Sequence, residues 1–338
     1  MTFVAYLLLI IVSWAEHGSA RARAPSAHGR YTAESAAEWK DPSPHRSGFV
    51  MVDGTRLHCL DWGGRGETVV FLPGLASTAH AFDDVSPELT GRFRVLALTP
   101  RAHGESESLD TLQTVRRAAE DVRVLMDSIS IVRAHLVGQS ISGATLTRFA
   151  ARYPGRVGKL VYLDATFDYG GADEVEEEKK AVARPRPEKG FSSAAEYRAW
   201  AEEYFFGTWT NALEADIWAS ASAGGADAAR AAKSRASLLA DAAAHSQEYR
   251  LVRAPGLVLW AEKTLESHYF WIDRADTAMV SRARDHLKAR RQWERRGVDR
   301  FRGEMRNGRV VAFPAHHWMF VTDEERVLRE VRAFLLGR

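Results

Sequence analysis

The chain has 338 residues, 46% of them hydrophobic, and a formal net charge of +2. That suits an enzyme-sized globular protein with a substantial core, and the near-balance of charge supplies no overall pull toward nucleic acid or anionic lipid. A single cysteine, Cys59, excludes an intrachain disulfide and a thiolate metal cluster.

Phe3 to Val12 is an uninterrupted apolar run, and Gly18-Ser19-Ala20 offers small residues for a cleavage site. The run is short for a bilayer span, so the pattern predicts a signal peptide over 1–20 and a secreted or periplasmic protein. No Lys or Arg precedes the run, which keeps an uncleaved membrane anchor as the alternative. Residues 21–47, rich in Ala, Arg, Ser and Pro, read as a flexible leader.

From Gly48 the pattern becomes regular. GFVMVDGTRLHCLDW holds two apolar runs around Asp53-Gly54, a hairpin signal. TVVFLPG (68–74) and FRVLALTP (93–100) are short continuous apolar runs, as expected of strands covered on both faces. Val115, Ala118, Val122, Leu125 and Met126 recur at helical spacing over 115–129. HLVGQ reads as another buried strand, and Ile141 to Tyr153 as a helix stopped by Pro154-Gly155. VGKLVYLD (157–164), GLVLWAE (256–262) and RVVAFP (309–314) are further strands. A last helix from Asp323 carries Val327, Leu328, Val331, Phe334 and Leu335 on one face. Alternation of this kind predicts an α/β fold, a mostly parallel doubly wound sheet covered on both sides.

Between Ala165 and Ala254 the alternation stops. A charged run (ADEVEEEKK) precedes an Ala-rich helical pattern with Tyr197, Trp200, Tyr204, Phe205, Phe206, Trp209 and Trp218. This stretch, 165–254, reads as a helical cap inserted into a core made of 48–164 and 255–338. The aromatics suit either an apolar pocket or the packing core of the cap itself.

Gly138-Gln139-Ser140-Ile141-Ser142 sits where a strand runs into a helix. It fits the nucleophile-elbow pattern G-x-S-x-G except that Ser142 stands at the last glycine. The turn demands small residues two before and two after the nucleophile, and Gly138 and Ser142 are both small. The competing reading of Ser140 is a plain helix N-cap. In FLPGLAS, Pro73-Gly74 after a buried strand lets Leu75 aim its backbone N–H above Ser140, and the Ile141 N–H would be the second oxyanion donor. In TPRAHGES (99–106), His103 reads as structural. His316 and His317 stand between the last strand and the last helix, at the edge where Ser140 should emerge, with His317 as general base and His316 as runner-up.

Together these segments resemble the α/β-hydrolase superfamily, in its capped, esterase-like branch, over roughly residues 48–338. FLPGLAS is similar to the family's H-G-x-x oxyanion loop, TPRAHGES to D-x-R-G-x-G-x-S, GQSISG to G-H-S-M-G-G, and AHHWMF to G-H-F-x-F, which puts His317 on the family's histidine. The acid departs from the pattern. Many relatives carry it four residues past the seventh-strand tryptophan, where this chain has Thr264. The resemblance then implies Asp164, at the end of the preceding strand, with Asp168, Glu262 and Glu266 as alternatives.

The resulting expectation is a serine hydrolase acting on a small-molecule carboxylic ester or related acyl substrate. Ser140 would be nucleophile, His317 base and Asp164 acid, with Leu75 and Ile141 as oxyanion hole. No cofactor or metal is implied. The missing acid at Thr264 supports a second reading, a ligand-binding protein of the same fold without turnover. The basic stretch Arg282–Arg302, interleaved with Asp285, Glu294 and Asp299, reads as a solvated helix face rather than a nucleic-acid surface.

Overall fold

Runs rich in Val and Leu become strands here because helices cover both faces of the sheet. A computed structural model of the chain describes residues 12–15, 41–107, 112–171, 182, 194–205, 207–221 and 225–338. Its strands are β1 (Val12–Ala15), β2 (Arg46–Val52), β3 (Thr55–Gly63), β4 (Thr68–Leu72), β5 (Arg94–Leu98), β6 (Ala134–Gln139), β7 (Val157–Leu163), β8 (Gly256–Glu262) and β9 (Gly308–Pro314). They form one sheet in the order β1-β2-β3-β5-β4-β6-β7-β8-β9. The first three pairings are antiparallel, and all those from β5 to β9 are parallel. Every residue of β4 and β6 is buried.

The hairpin at Asp53-Gly54 closes as expected. Val52 pairs with Thr55, and the two turn residues take φ of 49° and 75°, the left-handed conformation that a two-residue turn between twisted strands requires. β1 comes from the segment read as an export signal and pairs with β2 at the sheet edge. The rest of residues 1–40 lies outside the described residues, as does the charged run at 172–180. The stretch read as leader is held from residue 41 onward: His45 is buried, with Nδ1 2.9 Å from Asp83 Oδ1.

One face of the sheet is covered by helices Val115–Ser128 and Ser142–Arg152 and by Val298, Phe301 and Met305. The other carries Phe82, Phe320 and helix Glu324–Leu336, through Val327, Leu328, Val331 and Leu335. Helices Ala194–Tyr204, Asn211–Ala221 and Gly225–Ala244 lie between β7 and β8 in the chain. Among the described residues no helix is long and apolar enough to cross a membrane.

Chain direction reverses around β4: the chain steps from β4 outward to β5, then returns to β6 on the other side. Such a reversal opens a crevice outside the carboxyl ends of the strands. The parallel register pairs Leu72 with Gly138 and Gln139 with Leu163. The loops leaving β4, β6 and β7 therefore emerge side by side.

Candidate active site

Ser140 leaves β6 with φ of +55°, a conformation that costs a non-glycine residue of order 1–3 kcal/mol. The surrounding contacts hold it there. Its N–H donates to Leu163 O at 3.2 Å and its carbonyl accepts from Gly143 N–H at 3.0 Å. Helix Ser142–Arg152 begins two residues on, with Ile141 as N-cap, so Ser140 does not cap it. The turn is tight because glycines allow it. A Cβ on Gly138 would lie 2.6 Å from Leu146 Cδ1, and one on Gly143 only 1.8 Å from Ala165 O.

The loop after β4 is pressed onto this elbow. A Cβ on Gly74 would meet Gln139 Oε1 at 1.9 Å and Ser140 Cβ at 3.1 Å. Ser142 Oγ donates to Pro73 O at 2.5 Å, tying helix and loop together. The serine in place of the motif's last glycine is thus a tether as well as a small residue. Leu75, next along the loop, shares an apolar cluster with Ile141, Val115 and Leu238.

His317 Nδ1 lies 2.6 Å from Asp164 Oδ2. Asp164 itself has φ of +46°. Its N–H donates to Leu259 O at 2.8 Å, and Oδ1 accepts from Ala261 N–H at 3.2 Å. Lys263 Nζ, fully buried, stands 2.5 Å from Asp164 Oδ2 and 2.8 Å from Glu294 Oε1. Glu294 also pairs with Arg290 at 2.8 Å. Burial alone would raise the Asp164 carboxyl, but the Lys263 ammonium and the His317 contact outweigh it and hold it well below the usual carboxylate range.

With its Nδ1–H given to Asp164, His317 has Nε2 as acceptor, and Gln139 Nε2 lies 2.9 Å from it. The Ser140 hydroxyl lies against the phenol of Tyr169, whose ionisation burial pushes up. Phe167 packs beside the His317 ring, centroids 5.7 Å apart, and stacks on Trp293 at 5.0 Å.

The alternatives to these residues are engaged differently. His316 is buried against Tyr204, its Nδ1 accepts from Trp318 N–H at 3.1 Å, and burial and the neighbouring His317 push it down to about 3. Thr264 caps the short helix Leu265–His268, its hydroxyl accepting from Ser267 N–H at 3.0 Å. Exposed Glu266 lies in the first turn of that helix, and Glu262 is half-buried at the end of β8. Asp168 accepts from Gly170 N–H at 3.3 Å, and its carbonyl takes the Trp293 indole N–H at 2.7 Å. His103 is buried with Nδ1 2.8 Å from Arg101 O, and burial pushes it down to about 4.

The stretch Arg282–Arg302 departs from the expected solvated face. It lies in helix Thr277–Glu304, which keeps Asp285 and Asp299 exposed but buries Trp293, Glu294 and Gly297. A Cβ on Gly297 would lie 1.9 Å from Thr166 O, so this turn packs directly on the loop after β7. Lys263, Glu294, Trp293, Gln139 and Tyr169 were not among the residues expected at the site. Trp293 and Gly297, one turn apart among charges, are the sequence signal that could have pointed to the helix.

The alpha/beta hydrolase fold family model matches residues 67–265, and the chain belongs to that family. A Mycobacterium phage D29 protein named as a non-heme haloperoxidase is 37% identical over 118 residues, 35% of this chain and 42% of that protein. A 2-hydroxy-6-oxononadienedioate/2-hydroxy-6-oxononatrienedioate hydrolase of Paraburkholderia phymatum is 37% identical over 123 residues, 34% of this chain and 42% of that protein. The chain thus spans less than half the length of either relative. Among solved structures, E-2-(acetamidomethylene)succinate hydrolase superposes with a TM-score of 0.58 at 22% identity, over 87% of this chain and all of that one. That likeness is one of fold.

Proposed function

We propose that the chain is a serine hydrolase acting on a small-molecule carboxylic ester or related acyl compound. The observation that carries this reading is the 2.6 Å contact of His317 Nδ1 with Asp164, at the sheet edge where Ser140 emerges in a strained elbow. Ser140 attacks the acyl carbon while His317 Nε2 takes its proton, and the N–H groups of Leu75 and Ile141 receive the oxyanion. His317 then protonates the leaving group and activates the water that releases the acid. Asp164 holds the imidazole in the tautomer that leaves Nε2 free to accept. The hydrolase names of relatives support the reaction type.

A fluorophosphonate probe and a panel of esters, lactones and amides test this. Wild type should label and turn over at least one class, Ser140→Ala should do neither, and Asp164→Asn should lose about 10⁴ in kcat. A second reading, a binding protein without turnover, is favoured by Gln139 standing at His317 Nε2, 2.9 Å away. Absence of labelling together with saturable ligand binding would select it.

Export is part of the proposal. Cleavage after Ala20 would remove β1 and leave β2 as the sheet edge. Intact-mass measurement of the native protein decides it, and a full-length N-terminus in the cytosolic fraction would rule it out.

A further inference from the structure

Away from the elbow, Asp41, His45, His80 and Asp83 converge on one point, each offering a ligand atom within 4.8 Å of the others. We propose that these four residues form a structural site for a divalent cation with zinc-like preferences, clamping the segment before β2 to the short helix that follows the Leu75 loop.

The donor set comes first. Two imidazoles and two carboxylates make an N2O2 set that suits zinc, whereas calcium and magnesium favour all-oxygen shells. Zinc held at about 2.0–2.1 Å in tetrahedral geometry puts its ligands about 3.3 Å apart. His80 Nδ1 lies 3.2 Å from Asp41 Oδ2 and 2.8 Å from Asp83 Oδ2. His45 Nδ1 lies 2.9 Å from Asp83 Oδ1. These contacts, 2.8 to 3.2 Å, are a little shorter than the tetrahedral edge, and one atom from each of the four residues lies within 4.8 Å of the rest, so admitting an ion needs the side chains to move apart by small shifts.

Surrounding groups are arranged as an outer shell. Asp83 Oδ1 accepts from the Trp62 indole N–H at 3.0 Å and from the Ser43 hydroxyl at 2.9 Å. Such contacts orient a ligating carboxylate. Asp41 Oδ1 accepts from Ser43 N–H at 2.9 Å, while Oδ2 is buried outside hydrogen-bond geometry, with His80 Nδ1 3.2 Å away. A cation seated between them would take that oxygen as a ligand. The Asp41 side chain keeps 13% exposure, against 1% for Asp83, which leaves an entry path on one side.

All four positions come from protein, the closed arrangement of structural rather than catalytic zinc sites. The site would brace the helix Ala79–Phe82, whose cap Thr78 stands three residues past Leu75.

The test uses the full-length chain stripped with a chelator and titrated with zinc chloride. One equivalent should bind, melting temperature should rise with zinc concentration, and cobalt substitution should give the intense visible bands of a tetrahedral site. Asp41→Asn and His45→Gln should each weaken binding about a hundredfold or more while the metal-free proteins melt within a few degrees of wild type. His317→Ala should retain the full equivalent, which separates this site from the elbow. X-ray absorption of the zinc-loaded wild type should show four N/O neighbours including two imidazoles, a readout independent of whether variants fold. No stoichiometric uptake by wild type, binding unchanged in both variants, or a shell without two imidazoles would overturn the proposal in favour of a metal-free histidine–carboxylate network.

Discussion

Lys263 and His317 share one oxygen: Nζ of the lysine and Nδ1 of the histidine lie 2.5 and 2.6 Å from Asp164 Oδ2. The lysine's charge keeps Asp164 ionised but also competes for the electron density that would steady His317. Glu294, 2.8 Å from Lys263 Nζ, limits that competition by sharing the ammonium.

Removing the lysine should therefore be costly and repairable. Lys263→Met leaves Asp164 buried without its lysine and Glu294 with Arg290 alone, and should destabilise by about 3–5 kcal/mol. The double variant Lys263→Met/Glu294→Leu should recover part of that loss, because an apolar pair replaces a buried carboxylate that has lost one of its two cations. The pH dependence has a definite sign. Asp164 is depressed in the folded protein, so its contribution is present above the unfolded carboxylate value of about 3.9 and lost as pH falls through the folded one. The gap between wild type and Lys263→Met in urea unfolding should be level from pH 6 to 8 and narrow in acid. A gap that widens in acid would refute this assignment.

Gln139 blocks the histidine nitrogen that the proposed reaction uses. One hydrogen bond is worth about 0.5–1.5 kcal/mol net, so Gln139→Ala should speed fluorophosphonate labelling by roughly two- to tenfold. Slower labelling would mean that the amide positions the ring rather than restraining it.

The elbow should distinguish its two small residues. Ser142→Ala removes the hydrogen bond to Pro73 O and should cost about 1 kcal/mol, with Ser140 still labelled. Gly143→Ala forces a methyl into Ala165 O, 1.8 Å away, and should cost about 1–3 kcal/mol while slowing labelling, because the helix must retreat from the turn. Differential scanning calorimetry with labelling kinetics checks both, and an unaffected Gly143→Ala would refute the tight packing.

Asp216 couples the helix Asn211–Ala221 to the loop after β4. It accepts from Thr78 N–H at 2.6 Å, Thr78 Oγ1 at 2.7 Å and Ser77 Oγ at 3.2 Å. Burial, only partly offset by these donors, pushes it up to about 6. A carboxyl raised on folding favours the fold most below its unfolded value of about 3.9, and that contribution is lost as pH rises through 6. Asp216→Asn does not titrate, so its stability relative to wild type should rise between pH 4 and pH 7. Parallel unfolding curves at both pH values would show that Asp216 titrates normally.

The sequence by itself determined what rests on neighbouring residues. Apolar runs bounded by Gly and Pro marked the parallel strands, Asp53-Gly54 marked the hairpin, and Gly138 with a serine at a strand-to-helix junction marked the elbow, because each is a constraint within a few residues of chain. The order of Ser140, Asp164 and His317 was legible too, but only as candidates. Tertiary structure alone decided that Asp164 rather than Glu262 or Glu266 faces His317, 153 positions away. It also decided that Lys263 is buried, that Glu294 leaves an otherwise charged helix face to meet it, and that residues 41–45 are bound to Asp83 and His80. A charged side chain reads the same in sequence whether water or a buried counter-charge solvates it, and the choice is made by segments the fold brings together from far along the chain.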